Sequence, residues 1–242
     1  MRTSPACWTL LRSIGALAAI VVATAAPSRT DAAGNAYAVD DADIGKAGSC
    51  QNEAWVSFAT SRDFVGIESP ACVVQLGIPV EFTALYQRTG TAGDWATAFG
   101  AQAKIVPYNT DQLAVGFSLG VARDITVGRE FVTANLPVTV KFGKEFRIHT
   151  NLGFLYDGRV ERNYVTGGVG FDWDFVDKFS LMGEVYLQQG RSIGISTVTE
   201  PRTQLGIQYS PVATVDILAI YGQNITGRSA HWITLGLTFR SQ

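Results

Sequence analysis

Apolar and polar residues alternate along most of this chain. From position 72 onward the period is two, in long segments parted by turn residues, and this predicts β-strands. In 112–122, Leu113, Val115, Phe117, Leu119 and Val121 share one face. Gln112, Ala114, Gly116, Ser118, Gly120 and Ala122 share the other. In 94–105, Trp95, Thr97, Phe99, Ala101, Ala103 and Ile105 oppose a face that ends in Gln102 and Lys104. In 145–157, Phe146, Ile148, Leu152, Phe154 and Tyr156 oppose Arg147, His149, Asn151, Gly153 and Asp157. The last segment sets Ile233, Leu235, Leu237 and Phe239 against Thr234, Gly236, Thr238 and Arg240.

Ten such runs follow position 72, at 73–88, 94–106, 111–123, 131–142, 145–157, 163–175, 178–189, 202–210, 213–222 and 231–240. Several reach the ~9–11 residues that a tilted strand needs to cross a bilayer. Short connections fall at 108–110, 143–144, 176–177 and 210–212. Longer polar ones are expected at 89–93, 125–129, 158–162, 190–200 and 223–230. Short turns at one rim and longer loops at the other describe a transmembrane antiparallel up-and-down β-barrel. Ten strands are expected. Twelve is the alternative, if a hairpin at 50–72 joins the wall, but its arms look short for a crossing. Either count is even and puts both ends of the barrel on one side.

A soluble barrel or sandwich would turn a heavily charged face to water. Here the face opposite the apolar one is Gly, Ala, Ser, Thr and Gln with scattered charges, which suits a confined polar lumen. Tyr86, Trp95, Tyr156, Tyr221 and Trp232 fall near the long-loop ends of strands. Phe142, Phe146, Trp173, Phe175, Phe179, Tyr209 and Phe239 fall near the short-turn ends. Two aromatic girdles are expected at the two bilayer interfaces.

The first residues carry a different pattern. Arg2 and Arg12 precede the apolar stretch 14–22, and Ala23, Thr24 and Ala25 follow it. This order predicts a secretory signal peptide over 1–25. Residues 26–49, rich in Ala, Asp and Gly, are expected as a flexible N-terminal segment, followed by the hairpin 50–72 and a barrel over 73–242. Cys7 would leave with the signal. Cys50 and Cys72 would remain in an oxidising compartment. A hairpin centred on Ser61 sets them opposite each other, which predicts a disulfide.

Composition narrows the function. Charged residues make up 17% of the chain, and the net charge is −2. Without the signal, 17 basic residues (19 less Arg2 and Arg12) face 21 acidic ones. A nucleic-acid partner is not expected on that balance. Two His and three Cys leave little for a metal site, and no cofactor is expected.

The signal segment, the strand ladder and the closing His231-Trp232-Ile233-Thr234-Leu235-Gly236-Leu237-Thr238-Phe239-Arg240 resemble the small outer-membrane β-barrel proteins of Gram-negative bacteria, porin-like or transporter-like. That resemblance implies export, residence in the outer membrane, contact with its lipid, and insertion by the barrel-assembly machinery. Trp232, Ile233, Leu235, Leu237 and Phe239 would form the assembly signal. Arg240, Ser241 and Gln242 depart from the pattern, which more often ends on the aromatic.

Inward phase defines the lumen lining expected here: Ala96, Ala98, Gly100, Lys104, Ala114, Gly116, Ser118, Gly120, Arg147, His149, Asp172, Glu184 and Arg202. The small residues among them, on two consecutive strands, are expected to leave a gap for a small solute. The function expected is a narrow channel or facilitator. The alternative is a closed barrel with a structural or binding role. Outer-membrane hydrolases place a nucleophile beside a His, but no such spacing surrounds His149, and no enzyme is expected. Asp172 and Asp174 are expected to pair with an inward base, Lys104, Lys141, Arg147, Arg202 or Arg240.

Overall fold

The computed structural model describes residues 36–91, 93–192, 195–226 and 230–241, with side chains left out for 189–200. The expected signal peptide, and residues 26–35 of the expected flexible segment, lie outside the described residues.

Twelve strands form one wall: β1 Cys50–Ala59, β2 Phe64–Leu76, β3 Ile78–Thr91, β4 Asp94–Asn109, β5 Leu113–Asp124, β6 Arg129–Phe142, β7 Phe146–Asp157, β8 Arg162–Val176, β9 Phe179–Ser192, β10 Ile195–Val212, β11 Val215–Asn224 and β12 His231–Arg240. Each pairs antiparallel with the next, and β1 pairs with β12, so the barrel is closed. Gln51 stands opposite Arg240 at the seam, which sets both ends of the wall on one rim.

The twelve-strand alternative is therefore the observed one, and the count of ten is corrected. The arms of the expected hairpin are β1 and β2, of 10 and 13 residues. Asn52, Glu53 and Pro70 have low strand propensity, and they made the arms look shorter than they are. Cys50 faces Cys72 across this pair and the two are disulfide-bonded, with Cα atoms 4.0 Å apart.

The connections expected over 125–129, 158–162 and 223–230 fall between strands, whereas those expected over 89–93 and 190–200 are largely strand. β9 runs to Ser192 and β10 starts at Ile195, where a connection over 190–200 was expected. Backbone pairing continues through polar residues there, because a ladder needs paired N–H and C=O groups and not apolar side chains.

The phase of the alternation holds. On β5, Phe117, Leu119 and Val121 are 39%, 52% and 60% exposed on the outer face, and Ser118 is 3% exposed on the inner one. Ile233, Leu235, Leu237 and Phe239 also face outward. A soluble protein does not coat itself with apolar side chains on every strand, whereas lipid requires it. Trp232 departs from the expected girdle. It shares the phase of buried Thr234, and its indole N–H donates to Gln204 inside the barrel at 2.8 Å. Gly222 on the neighbouring strand makes room for it: a Cβ there would lie 2.1 Å from the Trp232 ring.

Candidate functional site: a lumen filled by the chain's own N-terminal segment

The interior is occupied by residues from the described stretch 36–49 that precedes β1. Gly48 donates to the Val73 carbonyl at 2.8 Å, and Val73 donates to that of Ser49 at 3.0 Å, so the chain follows β2 before it turns inward. Gly48 has φ of 89°, a left-handed conformation that favours glycine. Further back, Tyr37, Val39, Asp41 and Ala42 are buried, Asp41 and Ala42 completely. Over the described residues 36–49, this finding differs from the flexible segment expected over 26–49. An Ala- and Asp-rich composition would leave it loose by itself; the wall holds it.

The wall holds it mainly by its backbone. Ala38 and Val39 donate to the two carboxylate oxygens of Glu184 on β9, at 3.0 and 2.8 Å. Gln204 on β10 donates to the same carboxylate at 2.7 Å. Asn151 on β7 accepts from the Asp40 N–H at 2.8 Å and donates to the Asp40 carbonyl at 2.6 Å. Asn135 on β6 fixes that amide by donating to its oxygen at 2.8 Å. Thr139, also on β6, accepts from Ala42 at 2.8 Å. Glu53 on β1 accepts from Ala36 at 3.3 Å.

Side chains of the segment have their own seats. Tyr37 packs in a buried cluster with Ala36, Met182, Leu218 and Ile220, beside Trp55. Asp40 and Asp41 both accept from the Lys104 ammonium on β4, at 2.9 and 3.2 Å. Burial raises the Asp40 carboxyl above the usual range, against the lowering effect of Lys104. Burial also raises Asp43, helped by the nearby Asp41.

Behind Ala42 runs a chain of hydrogen bonds. The Thr139 hydroxyl lies 2.9 Å from His149 Nδ1, and His149 Nε2 lies 3.0 Å from Asp172. Arg147 donates to the same Asp172 oxygen at 2.7 Å, one of the five pairings expected for it. A ring protonated at Nε2 satisfies every step: Ala42 N–H to Thr139, Thr139 O–H to Nδ1, Nε2–H to the carboxylate. The order hydroxyl, imidazole, carboxylate is that of a nucleophile and its base. Here Thr139 and His149 are each 2% exposed, and the hydroxyl already accepts from the segment.

The expected lining is placed as follows. Lys104, Arg147, His149, Asp172 and Glu184 converge on the segment or on the groups that hold it. Ala98, Ala114 and Ser118 are buried on the inner face. Ala96, Gly100 and Arg202 lie on the inner phase of the wall, half-buried. The gap expected along the small residues is taken up at Gly116, where the position of a Cβ would be 3.5 Å from the Ala42 Cα and 3.0 Å from Pro137. At Gly120 that position lies 2.5 Å from the hydroxyl of Thr133, its partner across β5 and β6. The small side chains make room for chain and for neighbouring side chains.

Several groups that hold the segment did not stand out in the sequence: Glu53, Thr139, Asn151, Gln204 and the segment itself. Asn151 did fall on the inward phase. Asp40 and Asp41 form an acidic pair in an Ala-rich stretch, the one local sign of a buried cation opposite.

A closed antiparallel wall with an apolar outside and a polar inside defines a β-barrel of the outer-membrane type. The family model described as "Uncharacterised conserved protein UCP029691" matches residues 20–241, and the chain belongs to that family. No curated protein matches it in sequence. Among solved structures it is similar to the NanC porin, with a TM-score of 0.64 and 8% identity over 78% of this chain and 98% of that one. It is similar to the COG4313 outer membrane channel from Pseudomonas putida F1, with a TM-score of 0.62 and 12% identity over 83% and 98%. The KdgM porin gives 0.60 and 7% over 78% and 98%. At such identities these likenesses establish the fold.

Proposed function

We propose that this protein is an outer-membrane passage for small solutes, closed by its own N-terminal segment. The observation that carries the reading is the segment 36–42 itself. It lies across the lumen of a barrel of porin fold, held by side chains from six strands, and its backbone runs on into β1 at one rim. A segment held by side-chain contacts, with its backbone outside the strand ladder, can leave the lumen without unfolding the wall. The porin and channel neighbours support passage of a solute as the purpose of that lumen.

The rim that carries Cys50 and Arg240 is periplasmic in this reading. Export uses a signal cleaved after Ala25, and the barrel-assembly machinery reads β12. The outward Ile233, Leu235, Leu237 and Phe239 support that role, and the inward Trp232 takes no part in it. The protein is not an enzyme in this reading: the Thr139–His149–Asp172 chain is spent on holding Ala42.

The filled lumen also favours a second reading, a closed barrel with a binding or structural role. Planar-bilayer recordings separate the two. Wild type is expected to conduct rarely, and a variant that lacks 26–43 to conduct continuously in steps. A folded variant without current would favour the closed barrel.

A further inference from the structure

The barrel wall meets the segment chiefly at its backbone. Within 36–42, five amides (Ala36, Ala38, Val39, Asp40, Ala42) and two carbonyls (Ala36, Asp40) bond to wall side chains. Glu184 takes two successive N–H groups, and Asn151 takes both the donor and the acceptor of one residue. That spacing of donors and acceptors belongs to an extended peptide backbone. Two side-chain seats add selectivity: the apolar cluster around Tyr37, and Lys104 for the carboxylates three and four residues later. Backbone bonds for affinity and pockets for choice are the general means of recognising extended peptides.

We propose that the lumen is a peptide site, occupied here by the chain's own segment, and that the solutes it takes are short peptides with an aromatic residue three positions before an acidic pair. The proposal deepens the passage reading and rests on it for transport. The segment's own fit is imperfect at one end. The Tyr37 hydroxyl and the Trp55 indole N–H are buried with no hydrogen-bond partner. A buried polar group without a partner weakens binding. That end is the one a competing peptide displaces first. A Phe in place of Tyr removes the unmet hydroxyl, so a Phe peptide should bind more tightly, by about fivefold or more.

The test uses the barrel that lacks 26–43 and a synthetic peptide of residues 36–42, capped at both ends. Binding is read by the fluorescence of Trp55 and Trp232, and by block of current in planar bilayers. Saturable binding is expected, tighter for the Tyr37→Phe peptide. The same residues in scrambled order, and a galacturonate trimer of similar charge, should fail to compete. If the deletion prevents folding, the full chain with Asp40→Asn and Asp41→Asn keeps the segment but loses both Lys104 pairs, and takes its place. An open barrel that binds no peptide, or binds the scrambled peptide or the saccharide equally well, overturns the peptide site and leaves the passage standing. A barrel that binds the peptide with the stated preference but carries no current in any variant supports the site and contradicts the passage.

Discussion

Lys104 on the wall and Asp41 on the segment form an ion pair of 3.2 Å in which the side chains are 4% and 0% exposed. Asp40 shares the same ammonium at 2.9 Å. Removing one partner of a buried pair leaves an uncompensated charge, a change that costs about 3–5 kcal/mol. Lys104→Met leaves two such carboxylates, so the segment should leave the lumen before the wall is harmed. Limited proteolysis should then cut within 36–48 while the heat-modifiable gel shift of the barrel persists. An uncut segment in a folded variant would contradict this role for Lys104.

Acidity should act on the same contact. Burial holds Asp40 and Asp43 above the ordinary aspartate range of about 3.9. Raised values in the docked state mean that docking takes up protons. The added stability is full below the free-state value and is lost as pH rises through the docked ones. Lys104, Lys141, Arg147 and His149 face these groups from the wall and oppose the shift, and Asp41 adds to it. Hydrogen exchange at Val39 and Ala42, corrected for the intrinsic rate, should show protection that is greatest below the ordinary aspartate value of about 3.9 and falls as pH rises above it. More protection at the higher pH would reverse the sign and refute the argument.

Phe117 and Ser118 lie on opposite faces of β5, 39% and 3% exposed. Phe117→Arg puts a charge into lipid and should cost about 2–4 kcal/mol if it sits near the midplane. Ser118→Arg puts the same charge beside Lys104, since Ser118 pairs with it across β4 and β5. The first variant should lower folding stability in bilayers, and the second should chiefly disturb the segment. Equal stability of Phe117→Arg and wild type would place the lipid boundary elsewhere.

The Cys50–Cys72 bond closes a loop with a sequence separation of 22, at the rim where the segment enters. In the chain-entropy model such a link contributes about 3 kcal/mol. Cys50→Ser/Cys72→Ser should unfold at lower denaturant concentration by tryptophan fluorescence. A coincident unfolding curve would show that the wall needs no link there.

Much of the wall was legible in the sequence, because a barrel strand is written locally. Phe117 and Ser118, or Leu235 and Thr234, declare their faces by phase alone. The two strands that the alternation marks least, β1 and β2, carry Asn52, Glu53, Ser69 and Pro70 where apolar residues would mark a crossing. The place of Trp232 near a strand end suggests a girdle residue, yet its parity with Thr234 puts it inside. The site was less legible. Asn151, Thr139, Glu184 and Gln204 stand on four different strands, and Glu184 lies 145 positions from the Val39 N–H that it accepts. No local pattern in 36–42 shows such partners, since the segment borrows its order from the wall.

A reversible lock tests the central claim most directly. Val39 on the segment approaches Gly170 on β8, where the position of a Cβ would be 3.4 Å from a Val39 methyl. Val39→Cys/Gly170→Cys should form a bond that ties the segment to the wall. Single-channel recordings of this variant should show no openings when oxidised. After selective reduction of the new bond, openings should return to at least the wild-type frequency. Openings that persist unchanged in the oxidised, verified cross-linked protein would contradict a gate made of residues 36–42.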